Sequence, residues 1–441
     1  MSFLILLTVS IFSIIITAKR LDRYTRIPFF VYNGFYILTV VIGGIIIGFP
    51  AGEQLWIISH LSMDTSFVNK DVGFKYWFLL LSPLFIPNIS LLYLSIFRGK
   101  FSRKYINYLN IPISKITVFI VVGMLIGYCV LTLFQHGQLG TTMLNAGGDY
   151  QDNIISRTNL FGTLGNLFFG IVYMSLPMMA NYCLYQMKFD RFWYWLLIIV
   201  GISLTLLFFY MSIFTKSNLL IYFISMFVGA IYIGWVKGRH IPFFLVGGVI
   251  LVGVQEFFLA DQDTLDFLLS ISNVLFRMAS SHPYYVTLFP DVIPFVGIDL
   301  GLQRFGIGPD IATNMEVMNY MYPSLTWVQA TASAAAHLVA FAEGGYAWSI
   351  VTLLFIGAII SFIGYVGRCV RTPILFACYT QLNIMVYYFT QSSVVSSFTV
   401  SYGIKWAFFA LVLTLFVETI LQSAVKGFGN KILTIRIKNH G

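Results

Sequence analysis

A chain of 441 residues that is 58% hydrophobic and only 10% charged cannot be an ordinary water-soluble protein, in which about a quarter of the residues are charged. Its formal net charge of +9 would suggest nucleic acid in a soluble domain, but most of these cations stand in short connections between apolar runs, where membrane topology accounts for them. No nucleic-acid partner is expected. Cys129, Cys183, Cys369 and Cys378 lie in or beside apolar runs, without a CxxC or a His/Cys cluster, and predict buried thiols, not disulfides or metal ligands.

A membrane-crossing helix needs about 20 apolar residues. In chain order such runs fall near 3–18, 29–50, 76–97, 116–135, 160–187, 193–212, 218–236, 241–259, 346–366, 373–391 and 403–422. The expectation is an all-α polytopic membrane protein of about eleven transmembrane helices, one integral-membrane domain spanning 1–441. The first run precedes its basic cluster, the reverse of a secretory signal, and predicts a span entered from outside.

Charge orients the remainder. Alternate connections carry Lys19, Arg20, Arg23 and Arg26, the 98–115 loop, Lys188 and Arg191, Lys237 and Arg239, Arg368 and Arg371, and a basic C-terminal tail. Of 26 Lys and Arg, only Lys70, Lys75, Arg157, Lys216, Arg277, Arg304 and Lys405 fall on the other side. Of 17 acids, only Asp22, Asp190 and Glu418 fall on the basic side. The positive-inside rule then predicts an outside N-terminus and an inside C-terminus.

One connection is long: residues 260–345 form a large outer-face loop, too rich in aromatic and aliphatic residues for a disordered segment. Asp263–Ser280 has a helical apolar stripe, Leu265, Leu268, Ile271, Leu275 and Met278, and predicts an interfacial helix. A Gly/Pro-punctuated stretch, Pro290–Pro309, follows, and then a small-residue segment, Thr331–Ala340, apolar enough to dip into the bilayer. No internal repeat is visible, which disfavours an inverted-repeat transporter.

The outer cations divide by setting. Lys70 and Lys75, beside Asp64 and Asp71, read as solvated surface charge, and Lys405 as a snorkelling residue at a span boundary. Arg157 opens the fifth span, Arg277 ends the interfacial helix, Lys216 stands in the turn Thr215-Lys216-Ser217-Asn218, and Arg304 lies in the Gly-rich stretch. A guanidinium matches phosphate oxygens and stays charged near apolar surroundings, so these four are candidates to hold a lipid-linked pyrophosphate. The plainer reading pairs Arg157 with Asp152, and Arg277 with Asp266 or Asp291. His337, in Ala334-Ala335-Ala336-His337-Leu338, is a candidate proton acceptor if its apolar setting disfavours the charged form, the alternative being a histidine bonded to a backbone carbonyl. His282 is a looser candidate, and Glu343 and Glu256 are further ones. Asp261-Gln262-Asp263 reads as an acidic helix start, and there is no Walker, HExxH or GxSxG motif, so no metal and no cofactor is expected.

The arrangement resembles the Wzy-type polymerases of bacterial O-antigen and capsule repeat units. The matching features are Tyr150–Arg157 leading into a span, Thr215-Lys216-Ser217-Asn218-Leu219-Leu220, Arg277 in the large loop, and Phe305-Gly306-Ile307-Gly308. His337–Gly345 running into a span is similar to a pattern shared with the related O-antigen ligases. The resemblance spans about 150–420 as an arrangement. It implies glycosyl transfer at the outer leaflet of the bacterial cytoplasmic membrane, between undecaprenyl-pyrophosphate-linked oligosaccharides, without a metal. Arg157, Arg277, Arg304 and Lys216 would hold the pyrophosphate, and His337 or Glu343 would take the acceptor's proton. A chain-length regulator and membrane lipids are the implied partners. The competing functions are a ligase-like transferase with another acceptor, a flippase or transporter, and a membrane scaffold.

Overall fold

In the computed structural model the described residues are 2–49, 73–97, 113–136, 163–212, 216–237, 247, 281–299, 313–321, 334–399 and 403–438. Among them the secondary structure is helical, with no strand. The helices are α1 (Ser2–Arg20), α2 (Arg23–Ile47), α3 (Phe74–Leu81), α4 (Ile86–Phe97), α5 (Lys115–Gln135), α6 (Thr163–Phe189) and α7 (Phe192–Ser212). They continue as α8 (Lys216–Ile233), α9 (Ser281–Leu288), α10 (Thr313–Met321), α11 (Ala336–Cys369), α12 (Pro373–Tyr388), α13 (Val394–Thr399) and α14 (Lys405–Lys438).

Eight stretches among the described residues are long and apolar enough to cross a membrane, α3 and α4 counting as one. This is a membrane protein. Of the eleven expected runs, 218–236 appears as α8, whose apolar part is Ile221–Ile233, and 373–391 as the 16-residue α12. The run 241–259 and the interfacial helix expected over Asp263–Ser280 lie outside the described residues. Large apolar side chains stay exposed along α1, α5, α7 and α14, among them Phe12, Phe119, Leu131, Trp193, Leu197 and Phe416. Such a belt would be an aggregation surface in water and is a lipid-facing surface in a bilayer.

Inside, α6 is enclosed by α5, α7, α8, α12 and α14. α11 packs on α4, α2 and α12, and glycine sets how close they come. A Cβ on Gly357 would lie 2.1 Å from the Pro87 carbonyl oxygen, and one on Gly364 would lie 2.1 Å from Thr25 Oγ1. Small residues at such crossings let helix backbones touch, the main source of association between helices in lipid.

One end of the bundle is held by charge. Asp22 caps α2 by accepting from the N–H groups of Tyr24 and Thr25 at 2.9 and 3.1 Å, and it also pairs with Arg368. Burial pushes its carboxyl up, but the bonds from Arg368 and Thr25 outweigh burial and hold it below the ordinary range. Lys115 pairs with Asp190 and, chiefly through that hydrogen bond, holds its carboxyl at about 2. Glu418 accepts from Ser114 N at 2.9 Å and Thr117 Oγ1 at 2.6 Å. The three acids that broke the sequence's charge pattern are each held in a structural contact. Arg23 and Lys188 meanwhile donate to the Tyr232 and Ile233 carbonyls at 3.1 and 2.8 Å, satisfying the C-terminal end of α8.

The opposite end carries a second, smaller core, built from α1, the far end of α2, α3, α9, α10 and the first turns of α11. Described parts of the long 260–345 connection are thus folded down onto the helix ends.

Candidate functional site

Pro83 organises this second core. Without an N–H it cannot continue the α3 ladder, and the helix passes into a tight 3-10 turn over Ser82–Leu84. The last carbonyls of α3 are left for other partners. Tyr36 donates to Leu80 at 2.9 Å, and Nε2 of His337 lies 2.7 Å from the Leu79 oxygen. A carbonyl only accepts, so His337 is the donor there and keeps Nδ1 as its lone-pair nitrogen. The three alanines ahead of it allow the close approach, and Ala336 N donates to Phe389 O at 2.9 Å. His337 is therefore buried against α2 and α3, with its ring edge-on to Tyr36 at 5.7 Å. The carbonyl-bonded arrangement weighed for this residue in the sequence is the geometry found.

His282, on α9, shares this core. Its ring stands edge-on to Tyr76 at 4.8 Å, and neither nitrogen reaches a partner in hydrogen-bonding geometry. Burial, helped by His337, lowers its pKa to about 3 against a weak opposing pull from the Tyr76 backbone. Burial thus disfavours the charged form of His282.

Glu343 has a different setting. α11 breaks at Gly344 (φ −147°, ψ 21°) and Gly345 (φ 70°, ψ −161°). The latter is a conformation that only glycine adopts without strain. The break frees the carbonyls of Ala342 and Glu343, and the extended segment after α9 takes both, through Val296 N and Gly297 N at 3.1 Å each. The Glu343 carboxylate accepts from the Trp348 indole at 3.1 Å, and the Asp299 backbone lies against it. Six residues along a helix turn a side chain by about 240°. Accordingly His337 faces α2 and α3 while Glu343 faces the 295–299 segment, and the two do not share one reaction centre.

Lys75 corrects the sequence reading. Expected as solvated charge beside Asp64 and Asp71, it instead donates to Phe289 O at 2.8 Å and to Asp291 at 3.2 Å, with Nζ 5.6 Å from the Phe341 ring centre. It ties the 289–299 segment to α3. Asp291, weighed as a partner for Arg277, is thereby paired with Lys75. Replacing Lys75 with methionine should cost about 1 kcal/mol, because the pair is partly solvated. Amide exchange should rise over residues 289–299 and stay unchanged in α6 and α12. Equal exchange in both proteins would show that Lys75 holds nothing.

No match to the chain was found among protein-family models, curated proteins or solved structures. Of the other candidates, Arg157, Arg277, Arg304 and Glu256 lie outside the described residues. Lys216 heads α8, with its side chain likewise outside the description. Lys405 places its ammonium 5.1 Å from the Trp406 ring centre. Sequence reasoning passed over Trp348 and Phe295 and misread Lys75, for which the one local signal was a lysine set among aromatic residues in Phe74-Lys75-Tyr76-Trp77-Phe78.

Proposed function

We propose that this chain joins undecaprenyl-pyrophosphate-linked oligosaccharide repeat units at the outer leaflet of a bacterial cytoplasmic membrane. The observation that supports this reading most is the Glu343 carboxylate at a helix break, at the end of the bundle away from the basic one, beneath a segment folded down from the long connection. A polymerase needs a carboxylate or other base at a membrane boundary, next to a surface able to take a glycan. In the proposed reaction an acceptor hydroxyl on one lipid-linked unit attacks the anomeric carbon of another. Its oxygen forms the new glycosidic bond, the bond from that carbon to pyrophosphate breaks, and the electron pair leaves with the lipid pyrophosphate. The hydroxyl proton passes to Glu343. Arg157, Arg277, Arg304 and Lys216 are assigned to the charge developing on the leaving group.

The test is reconstitution into liposomes with synthetic lipid-linked repeat units. A ladder of products supports the reading. A single transfer to a different acceptor would make the protein a ligase-like transferase, and movement of intact substrate without a new bond would make it a flippase. Substituting glutamine for Arg157 or Arg277 should lower ladder formation about tenfold each, less than for a lone donor because four cations share the charge. Ladders unchanged in both variants would overturn the clamp.

A further inference from the structure

Two cations meet at the C-terminal end of α8, and the helix neutralises only part of their charge. Its last carbonyls are satisfied one by one. Ala230 O accepts from Trp235 N and Val236 N, Ile231 O from Gly234 N, Tyr232 O from Arg23 at 3.1 Å and Ile233 O from Lys188 at 2.8 Å. Gly234, at φ 85°, turns the chain out of the helix close to Arg23, since a Cβ there would lie 3.6 Å from the guanidinium. A helix C-terminus carries about half a negative charge, while the two side chains bring two full positive ones. Roughly one and a half charges are left over.

The acids of this end, among the described residues, are engaged elsewhere. Asp22, next to Arg23, is paired with Arg368, and Asp190, two residues beyond Lys188, is paired with Lys115. Glu418 accepts from Ser114 and Thr117. Arg23 reaches its carbonyls through Nη2 alone and keeps its other N–H groups, and an ammonium has three donors. Both side chains are exposed. The site offers charge and donors to an anion.

Its depth is that of a lipid phosphate. Arg23 opens one membrane-crossing stretch, Phe189 closes another, and the apolar part of α8 ends at Ile233. Lys188 and Gly234 thus stand where hydrocarbon gives way to headgroups. Aromatic rings mark the same level: Trp235 is 44% exposed and Phe189 63% exposed, with the Lys188 ammonium 5.5 Å from the Phe189 ring centre. A row of rings ties the two sides together, Tyr24, Tyr232, Phe376, Tyr185 and Phe189, each 4.9 to 5.5 Å from the next. A soluble anion would match the charge and gain nothing from rings and apolar helix faces. A choline or ethanolamine head would bring its own cation to a positive site. An anionic phospholipid matches both the charge and the apolar surroundings.

We propose that Arg23 and Lys188 hold the phosphate of an anionic phospholipid at the end of α8. The site lies at the end of the bundle opposite Glu343, and it stands whether or not the protein is a polymerase.

The experiment is native mass spectrometry of the full chain in detergent, titrated with phosphatidylglycerol or phosphatidylcholine. Phosphatidylglycerol should be retained more strongly, and the preference should fall as salt rises. Glutamine keeps an N–H for the helix carbonyl and removes the charge. Arg23→Gln and Lys188→Gln should each weaken phosphatidylglycerol binding about fivefold, and the double variant about thirtyfold, the scale of one and two interfacial cations. Lys19→Gln/Arg20→Gln removes the same charge from exposed residues of α1 and should leave binding near the wild-type level. If the double variant does not fold, each single variant still reads its own cation. Equal retention of the two lipids by the wild type, unchanged binding in both single variants, or an equal loss in the α1 control would overturn the proposal. Displacement of the lipid by an equal concentration of inorganic phosphate would make this a soluble-anion site and overturn the lipid assignment.

Discussion

Glu343→Gln should reduce ladder formation from lipid-linked repeat units by about a hundredfold or more, the range lost when a positioned general base is removed. The substitution isolates the proton step. The side-chain amide keeps an oxygen for the Trp348 indole, now 3.1 Å from the carboxylate, and the backbone bond from Gly297 to residue 343 does not involve the side chain. Melting temperature and elution volume should therefore stay close to the wild type, as should exchange over residues 289–298, the Asp299 amide being the one that also meets the carboxylate. A variant that folds and still makes full ladders would remove Glu343 from the reaction. His337→Gln makes the comparison sharp. Its Nε2 bond to Leu79 is a packing contact, so that variant should lose stability in the second core before it loses a proton acceptor.

Gly357→Ala should be the most destabilising small substitution in the bundle. The added methyl would stand 2.1 Å from the Pro87 oxygen and 2.3 Å from Ser90 Oγ. The first of these is backbone and cannot rotate away, so α11 and α4 must separate. Separation also breaks the 2.7 Å bond from Ser90 Oγ to Leu354 O. The cost should be about 3 kcal/mol, the upper part of the range for overpacking a close-packed contact. Thermal denaturation in detergent, followed by the loss of the monodisperse species, reads it directly. Gly127→Ala on α5 is the control, because a Cβ there meets nothing within 4 Å. Equal melting of the two variants would show that the α11–α4 crossing has slack.

The helical architecture was legible because apolar length and loop charge are local properties. Glycine at 344 and 345 marked where the ninth expected run begins, and the structure breaks α11 at the same two residues. The three acids at the basic end stood out as exceptions, though not their partners, since Asp22 and Arg368 lie 346 positions apart. The candidate site was less readable for the same reason. Lys75 reaches Asp291 across 216 positions, and a lysine in a polar stretch of sequence read as solvated charge. His282 and His337 were singled out by residue type, while the setting of His337 follows from Pro83, which frees a carbonyl far from it in sequence. Composition cannot report which carbonyl a break in another helix leaves open.

The contacts at the basic end bear on how the protein is made. Arg23, Lys115, Lys188 and Arg368 belong to the basic connections, and loop cations of this kind bias how a nascent chain enters a membrane. In the folded protein the same four bind carboxylates and helix-terminal carbonyls. Steering acts during synthesis, when these side chains have no partners, and the folded contacts then hold the outcome in place. An inverted helix would leave Asp22 or Asp190 without its counterpart, so an error of insertion becomes an error of packing.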